Sequence, residues 1–258
     1  MTGPRTRDDR AVSDVIGFVL VFAMIVSVVG IVSLSGLASL ESARDAQQTD
    51  NAVRAMEVLS DNMGDIAERG APSRATEISL EDASLSLANE TIVTVRDPNE
   101  SAGDPSFLVN RTHKIRPIVY DDGDTELVYA MGAIFRDDPR GGTVVQPWSP
   151  VFDEERTLIP IVTTISATDT VQQIQSSTVL VRANTNSRLV PVADDTGKYD
   201  DVWINVTSPR DDLWLSMLGR DPALTCFRSG SERVSCQLDE TPEQLYVTEV
   251  RIAVDLKA

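Results

Sequence analysis

The sequence predicts an α+β protein: a long N-terminal helix, hydrophobic and then amphipathic, followed by a mainly antiparallel, sandwich-like β domain. Three observations predict it. Residues 15–40 form a run of 26 residues without a charge. Residues 41–69 contain no proline and a single glycine, Gly64, while Val53, Met56, Leu59, Met63 and Ile66 recur at spacings of 3, 3, 4 and 3. From Ser73 onward the pattern becomes short alternating runs separated by turn residues.

The uncharged run, as a helix rising about 1.5 Å per residue, spans roughly 39 Å, enough to cross a bilayer with some tilt. The recurring apolar stripe makes residues 41–70 an amphipathic continuation. Glu41, Arg44, Asp45, Asp50, Arg54 and Glu57 populate its other faces. One helix is expected from Val12 to about Glu68, with Gly70 and Pro72 as its stop. A break near Ser42, with a separate stalk helix, is the alternative. The chain then divides into a short N-terminal flank (1–10), which the resemblance given below implies is a cytoplasmic leader, a membrane or packing helix (11–40), the amphipathic continuation (41–70) and a β-rich head (71–258) expected outside the cell.

Ten strands are expected in the head: Glu77–Leu80, Ala83–Leu87, Thr91–Arg96, His113–Tyr120, Leu127–Arg136, Thr157–Ala167, Ser177–Arg182, Val202–Thr207, Val234–Leu238 and Leu245–Leu256. Turn signals such as Asp121-Asp122-Gly123-Asp124 and Arg140-Gly141-Gly142 separate many of them. One short helix interrupts the strands. Ser208 is its expected cap, Pro209 its first residue, and Asp211-Asp212 its first turn before Leu213–Leu218.

Charge restricts the partners. Asp and Glu number 40 against 23 Lys and Arg, a net charge of −17. Such a chain does not neutralise a run of phosphates, so nucleic acid is not an expected partner. Arginine supplies nearly all the positive charge; Lys114, Lys198 and Lys257 are the lysines. Many carboxylates with few lysines suit a halophilic protein that stays hydrated in very high salt.

Arg5, Arg7 and Arg10 precede the apolar run, and basic residues on a short flank keep it in the cytoplasm. The bulk of the chain is then extracellular. Four Asn-x-Ser/Thr acceptors lie on that side, at Asn89, Asn99, Asn110 and Asn205. They predict a glycoprotein. Cys226 and Cys236 flank a Ser-Gly-Ser turn, and two short strands around it would place the thiols opposite each other. A disulfide there would stabilise by about 2–3 kcal/mol. Two free thiols or half of a metal site are the rival readings, and the only histidine, His113, is far away in sequence.

Three fates are open to the apolar segment: a cleaved secretory signal, a permanent anchor, or a pilin-type helix cut on its cytoplasmic side. The local sequence Asp8-Asp9-Arg10-Ala11-Val12-Ser13-Asp14-Val15-Ile16-Gly17 resembles the start of archaeal type IV pilins, especially those of haloarchaea. That resemblance covers about 30 residues and implies cleavage between Arg10 and Ala11 by a prepilin peptidase. It also implies packing against other pilin-like subunits through residues 15–37, where Gly17, Gly30 and Gly36 permit close helix approach. The chain departs from the pattern at Asp14, where haloarchaeal members carry Pro, and at Val15, where bacterial pilins carry Glu. Asp14 would then pair with a neighbour's α-amine or act as an ordinary first-turn acid. In the head, Ala71–Ile78, Arg116–Tyr120 and Asn205–Arg210 resemble a group of haloarchaeal envelope proteins with pilin-like N-termini. That likeness implies no activity.

No catalytic constellation stands out, so an enzyme is not expected. A Ser-His-Asp arrangement would have to use His113, which reads as a half-exposed strand residue beside Lys114. Asp121–Glu126 lacks the spacing of a helix-loop-helix calcium loop and reads as a solvated turn. No cofactor or metal is called for. Trp148, Trp203 and Trp214 are candidates for a sugar-binding groove, with core packing the expected fate of at least two. The reading that results is a membrane-inserted, pilin-like cell-surface protein, a minor filament subunit serving adhesion. The alternative is a tethered exterior binding domain that does not assemble.

Overall fold

A computed structural model describes residues 8–97, 110–168, 173–194 and 201–258. In chain order the elements are α1 (Asp8–Ala67), β1 (Ser73–Ser79), β2 (Ser84–Leu87), β3 (Thr91–Arg96), β4 (Asn110–Ile115), β5 (Ile118–Asp121), β6 (Glu126–Ala130), β7 (Ala133–Asp138), β8 (Gly141–Gln146), β9 (Arg156–Ser166), β10 (Gln173–Ile174), β11 (Thr178–Asp194), β12 (Trp203–Thr207), α2 (Asp211–Leu218), β13 (Leu224–Gly230), β14 (Arg233–Leu238) and β15 (Gln244–Lys257). The chain divides into two compact units, residues 1–50 and 51–258.

The second unit holds three sheets, ordered β1-β11-β15-β9, β10-β2-β5-β6-β7-β8 and β13-β14-β12-β3-β4. Among the described residues every pairing is antiparallel except β15 with β9. This is the α+β architecture the sequence predicts.

Two apolar cores lie among these layers. The last turns of α1 bury Met56, Leu59, Met63 and Ile66 in one of them, with Val53 partly buried. The predicted stripe therefore exists, and it packs with Tyr120, Leu127 and Tyr129 of the six-stranded sheet. The other face of that sheet presents Val119, Val128 and Phe135 to the second core, together with Trp214 of α2 and Ile204 of β12. A sheet covered on both faces needs nearly continuous apolar strands, and Leu127–Ala130 is such a run.

Strand β15 serves both cores. Leu245 and Val247 enter one; Ile252, Val254 and Leu256 enter the other. Successive side chains alternate between faces, so moving from odd to even buried positions means that β15 changes its buried face near Arg251. Its partner β11 is irregular at the same level, between Thr185 and Ser187 and between Leu189 and Val192. Bulges of this kind bend and twist a ladder.

The end of α1 is tied down by side chains from the sheets. Arg188 donates to the carbonyl oxygens of Ala67, at 3.0 Å, and of Ile66, satisfying acceptors that a helix terminus leaves open. Gly70 then takes the left-handed conformation (φ 78°), as the stop signal anticipates. Arg74 of β1 donates to Asp65 at 2.9 Å, and Asn62 donates to Thr76 at 2.8 Å. Hydrogen bonds from Arg74 and then Arg69 hold the Asp65 carboxyl below its ordinary range.

Several details differ from expectation. The strand expected at His113–Tyr120 is two, β4 and β5, which belong to different sheets, and β8 was not among the expected strands. The strand expected at Leu127–Arg136 is a hairpin, β6 and β7, because Met131 (φ 55°) and Gly132 (φ 86°) form a tight turn. The strand expected at Ser177–Arg182 runs on to Asp194 through its bulges. Helix α2 begins at Asp211 with Arg210 as its cap residue; the Ser208 hydroxyl accepts from the Arg210 N–H at 3.3 Å instead of capping the helix. The turn between β13 and β14 is centred on Ser231-Glu232, with Glu232 at φ 57°, just beyond the expected Ser-Gly-Ser centre.

Candidate functional site

The first candidate is the apolar part of α1. Every large apolar side chain from Val15 to Leu40 is between 50% and 72% exposed. Among the described residues this is the one helix long and apolar enough to cross a membrane by length and composition. Two of its serines are quenched internally. Ser27 donates to the Ala23 carbonyl at 2.8 Å and Ser39 to that of Ser35 at 2.9 Å. Such back-bonding satisfies a hydroxyl in a medium that offers no water. At Gly17, Gly30 and Gly36 no neighbouring atom lies within 4 Å of where a Cβ would sit, apart from the helix's own backbone. The backbone of Arg10 and Ala11 is helical. Arg5 and Arg7 lie outside the described residues.

The cysteines meet as expected. Cys226 and Cys236 are direct cross-strand partners of β13 and β14, their sulfurs at the bonding distance of 2.07 Å. Cys236 is fully buried in the core and Cys226 packs against it.

The glycosylation acceptors separate by location. Asn89 is exposed at a bend between β2 and β3. Asn99 lies outside the described residues. Asn110 is exposed at the start of β4, and Asn205 is half-buried in the middle of β12.

Asn110 and Asn205 share one surface, the outer face of the five-stranded sheet. Alternation sends Val93, Val95, Ile204, Val206 and Val234 inward. The outward residues fall into three cross-strand rows. The first is Lys114, Ile92, Thr207, Arg233 and Gly230. The second is Thr112, Thr94, Asn205, Ser235 and Phe227. The third is Asn110, Arg96, Trp203, Gln237 and Thr225. These rows contain three cations and no carboxylate. Trp203 has the Phe227 ring edge-on at 6.0 Å and the Arg96 guanidinium 5.8 Å from its centroid. Trp148 and Trp214 are buried, at 7% and 1% exposure, so core packing claims two of the three tryptophans.

His113 is the clearest departure from the sequence reading. It is not half-exposed: it is 3% exposed, with Nδ1 3.3 Å from an equally buried Glu249 carboxylate. Its ring nitrogens have no well-aligned hydrogen-bond partner among the described residues. Burial pushes the imidazole below its ordinary pKa, and the Glu249 carboxylate offsets this only in part. Burial also pushes the Glu249 carboxyl up. Hydrogen bonding from Arg251 (2.9 Å), the contact with His113 and a hydrogen bond from Thr163 (3.1 Å) outweigh that and hold it below the usual range. The site is thus a neutral imidazole beside a carboxylate that Arg251 balances. Sequence pattern missed it because the partners come from β4, β9 and β15, which are remote along the chain.

Two other candidates resolve simply. In Asp121–Glu126 two carboxylates accept from the turn's own backbone, Asp121 from Gly123 N–H at 2.8 Å and Asp122 from Thr125 N–H at 2.7 Å, while Glu126 pairs with Arg210. That is the expected solvated turn. A groove lined by Asp153, Glu154, Asp239 and Glu240 gathers acid residues, and the hydrogen bond with Glu154 pushes the Glu240 carboxyl up. Among the described residues no group of three or more His, Cys, Asp or Glu side chains is arranged to hold a metal ion.

A model of DUF7289, a family of unknown function, matches residues 10–255. No curated protein and no solved structure matches the chain. Because the match spans nearly the whole sequence, this protein belongs to the DUF7289 family.

Proposed function

We propose that this protein is a membrane-inserted, pilin-like cell-surface subunit of a type IV pilus-like filament. In this reading its leader is cytoplasmic and is removed by a prepilin peptidase between Arg10 and Ala11. The head is extracellular, glycosylated, and serves adhesion. Residues 15–37 pack against the same segment of other subunits. The reading includes no enzymatic activity.

The supporting observation is the all-round exposure of the apolar half of α1. Seventeen large apolar side chains there are at least half exposed. At roughly 1 kcal/mol for each half-buried equivalent, the drive to leave water is on the order of 15–20 kcal/mol. That exceeds the 5–15 kcal/mol or so that holds a typical domain together. A bilayer, and then a bundle of like helices, would satisfy it. The pilin-like residues around Arg10 and Ala11 favour the bundle as the final destination. The size of the second compact unit, residues 51–258, supports a second reading, in which the helix remains an anchor for an exterior binding domain.

The test is to purify the protein from its source, separate shed filaments from membranes, and map the N-terminal peptide by mass spectrometry. A chain beginning at Ala11 in the filament fraction is the expected result. Ala11 in membranes alone would replace the filament subunit by a processed membrane protein. An intact N-terminus would leave a plain anchor, and a start near residue 39 would sink the proposal.

A further inference from the structure

We propose that the outer face of the β13-β14-β12-β3-β4 sheet binds an acidic polysaccharide. The inference deepens the surface-interaction part of the proposed function and shares its premise that the head lies outside the cell.

Charge carries the first part of the argument. At the chain-wide frequency of 40 acidic residues in 258, three rows of five positions would hold about two carboxylates. They hold none, and they present Lys114, Arg96 and Arg233. Among the described residues, the nearby carboxylates are at the rim. Asp201 accepts from Gln237 at 2.5 Å, Asp239 accepts from Thr225 at 2.6 Å, and Glu90 lies 3.4 Å from Lys114. Arg233 has no carboxylate partner among the described residues. A cationic patch on a protein of net charge −17 selects an anionic partner locally while the rest of the surface repels one.

Side-chain chemistry narrows the partner to sugar. Trp203 is the one tryptophan outside the core, and it stands in a row beside Arg96. An indole flanked by Phe227 offers an apolar platform for the C–H face of a pyranose. Arg96, held against the ring, keeps its planar donors for a carboxylate or sulfate group. Next to them Thr112, Thr94 and, where it carries no glycan, Asn205 form a neutral hydroxyl and amide row, while the Ser235 hydroxyl of the same row is buried and donates to Ser229 at 2.7 Å. Thr94 and Thr112 already share a hydrogen bond at 3.2 Å, so the row is ordered. Such groups exchange hydrogen bonds with sugar hydroxyls without desolvating a charge. A shallow concavity of about 540 Å³ is lined by Thr94, Arg96, Asn205 and Arg233 among others, and Trp203 stands outside its lining. A phosphate-rich nucleic acid would meet the same cations, but it makes no use of the neutral row.

The test uses the full chain in detergent micelles, made in a host that does not glycosylate, at the lowest salt that keeps it folded. Hyaluronate is the acidic probe and dextran the neutral control. Binding is read by affinity electrophoresis and by tryptophan fluorescence. Hyaluronate is expected to retard the protein and change its emission, and dextran to do neither. Trp203→Ala and the double variant Arg96→Gln/Arg233→Gln should each weaken binding about tenfold, near 1.4 kcal/mol. Only the arginine variant should flatten the salt dependence. An intact Cys226–Cys236 linkage and an unchanged thermal transition verify folding of each variant. Three results would overturn the proposal: no response to hyaluronate, equal binding by Trp203→Ala, or a face that mediates self-association or nucleic-acid binding instead. So would native protein whose own glycan on Asn110 or Asn205 blocks the probe. None of these would alter the N-terminal mapping, so failure here is distinct from failure of the pilin reading.

Discussion

The two halves of α1 obey the same backbone rules and opposite solvent rules. Residues 15–40 carry large apolar side chains on every face, each of them at least half exposed, and no charge. Residues 51–67 gather most of theirs on one stripe, where Met56, Met63 and Ile66 are fully buried, while Arg54, Glu57 and Asp61, with Val58 among them, face water. A helix of the second kind has its solvent chosen by its own fold. One of the first kind has its solvent chosen by what surrounds it.

Charges introduced into the first half should break the contrast most. Val26→Arg combined with Val29→Arg is expected to cost about 5–7 kcal/mol of membrane insertion. The protein should leave the carbonate-resistant membrane fraction while its head keeps its thermal transition. The converse change is Met63→Ala. It empties a fully buried position and is expected to cost the head about 2–5 kcal/mol in denaturant titration, leaving the membrane fraction unchanged.

Acid should act on the head, chiefly through the buried His113 and Glu249, since Asp65, shifted in the same direction, is more exposed. Both folded pKa values lie below their unfolded ones. The unfolded chain therefore takes up protons first, and stability falls as pH falls. The imidazole contribution is complete above about pH 6.5 and declines below it; the carboxyl contribution is complete above about pH 4.5 and declines below that. Melting temperature measured against pH should drop in these two windows, and His113→Leu should remove the upper one. The smallest effect on a single chain is expected from Gly30→Val. No neighbouring atom within 4 Å opposes it, so head stability should not move. Filament recovery should fall, because the new side chain keeps helices apart.

The helix was legible because both of its signals, the uncharged run and the 3-3-4-3 stripe, are local. So were the alternating strands and the Cys226–Cys236 hairpin. What escaped depended on distant partners or on unusual backbone. The β6–β7 turn uses a left-handed Met131, a residue with no turn propensity of its own. The length of β11 is concealed by bulges that interrupt its alternation near Ser187 and Val190. His113 reads as half-exposed because only the approach of β9 and β15 buries it. The outer sheet face was visible only in part. The sequence marked Trp203, Asn110 and Asn205 separately, but the register that aligns them with Arg96 and Arg233 comes from three strand pairings.

The change of buried face along β15 has a consequence for how the head melts. One strand supplies Leu245 and Val247 to one core and Ile252, Val254 and Leu256 to the other. Neither core can loosen without releasing side chains that hold its counterpart. The two therefore behave as a single cooperative unit despite their separate linings. Calorimetric and van't Hoff enthalpies of the head transition should agree, and fluorescence from buried Trp214 in one core should report the same midpoint as near-ultraviolet dichroism from Tyr120 and Tyr129 in the other.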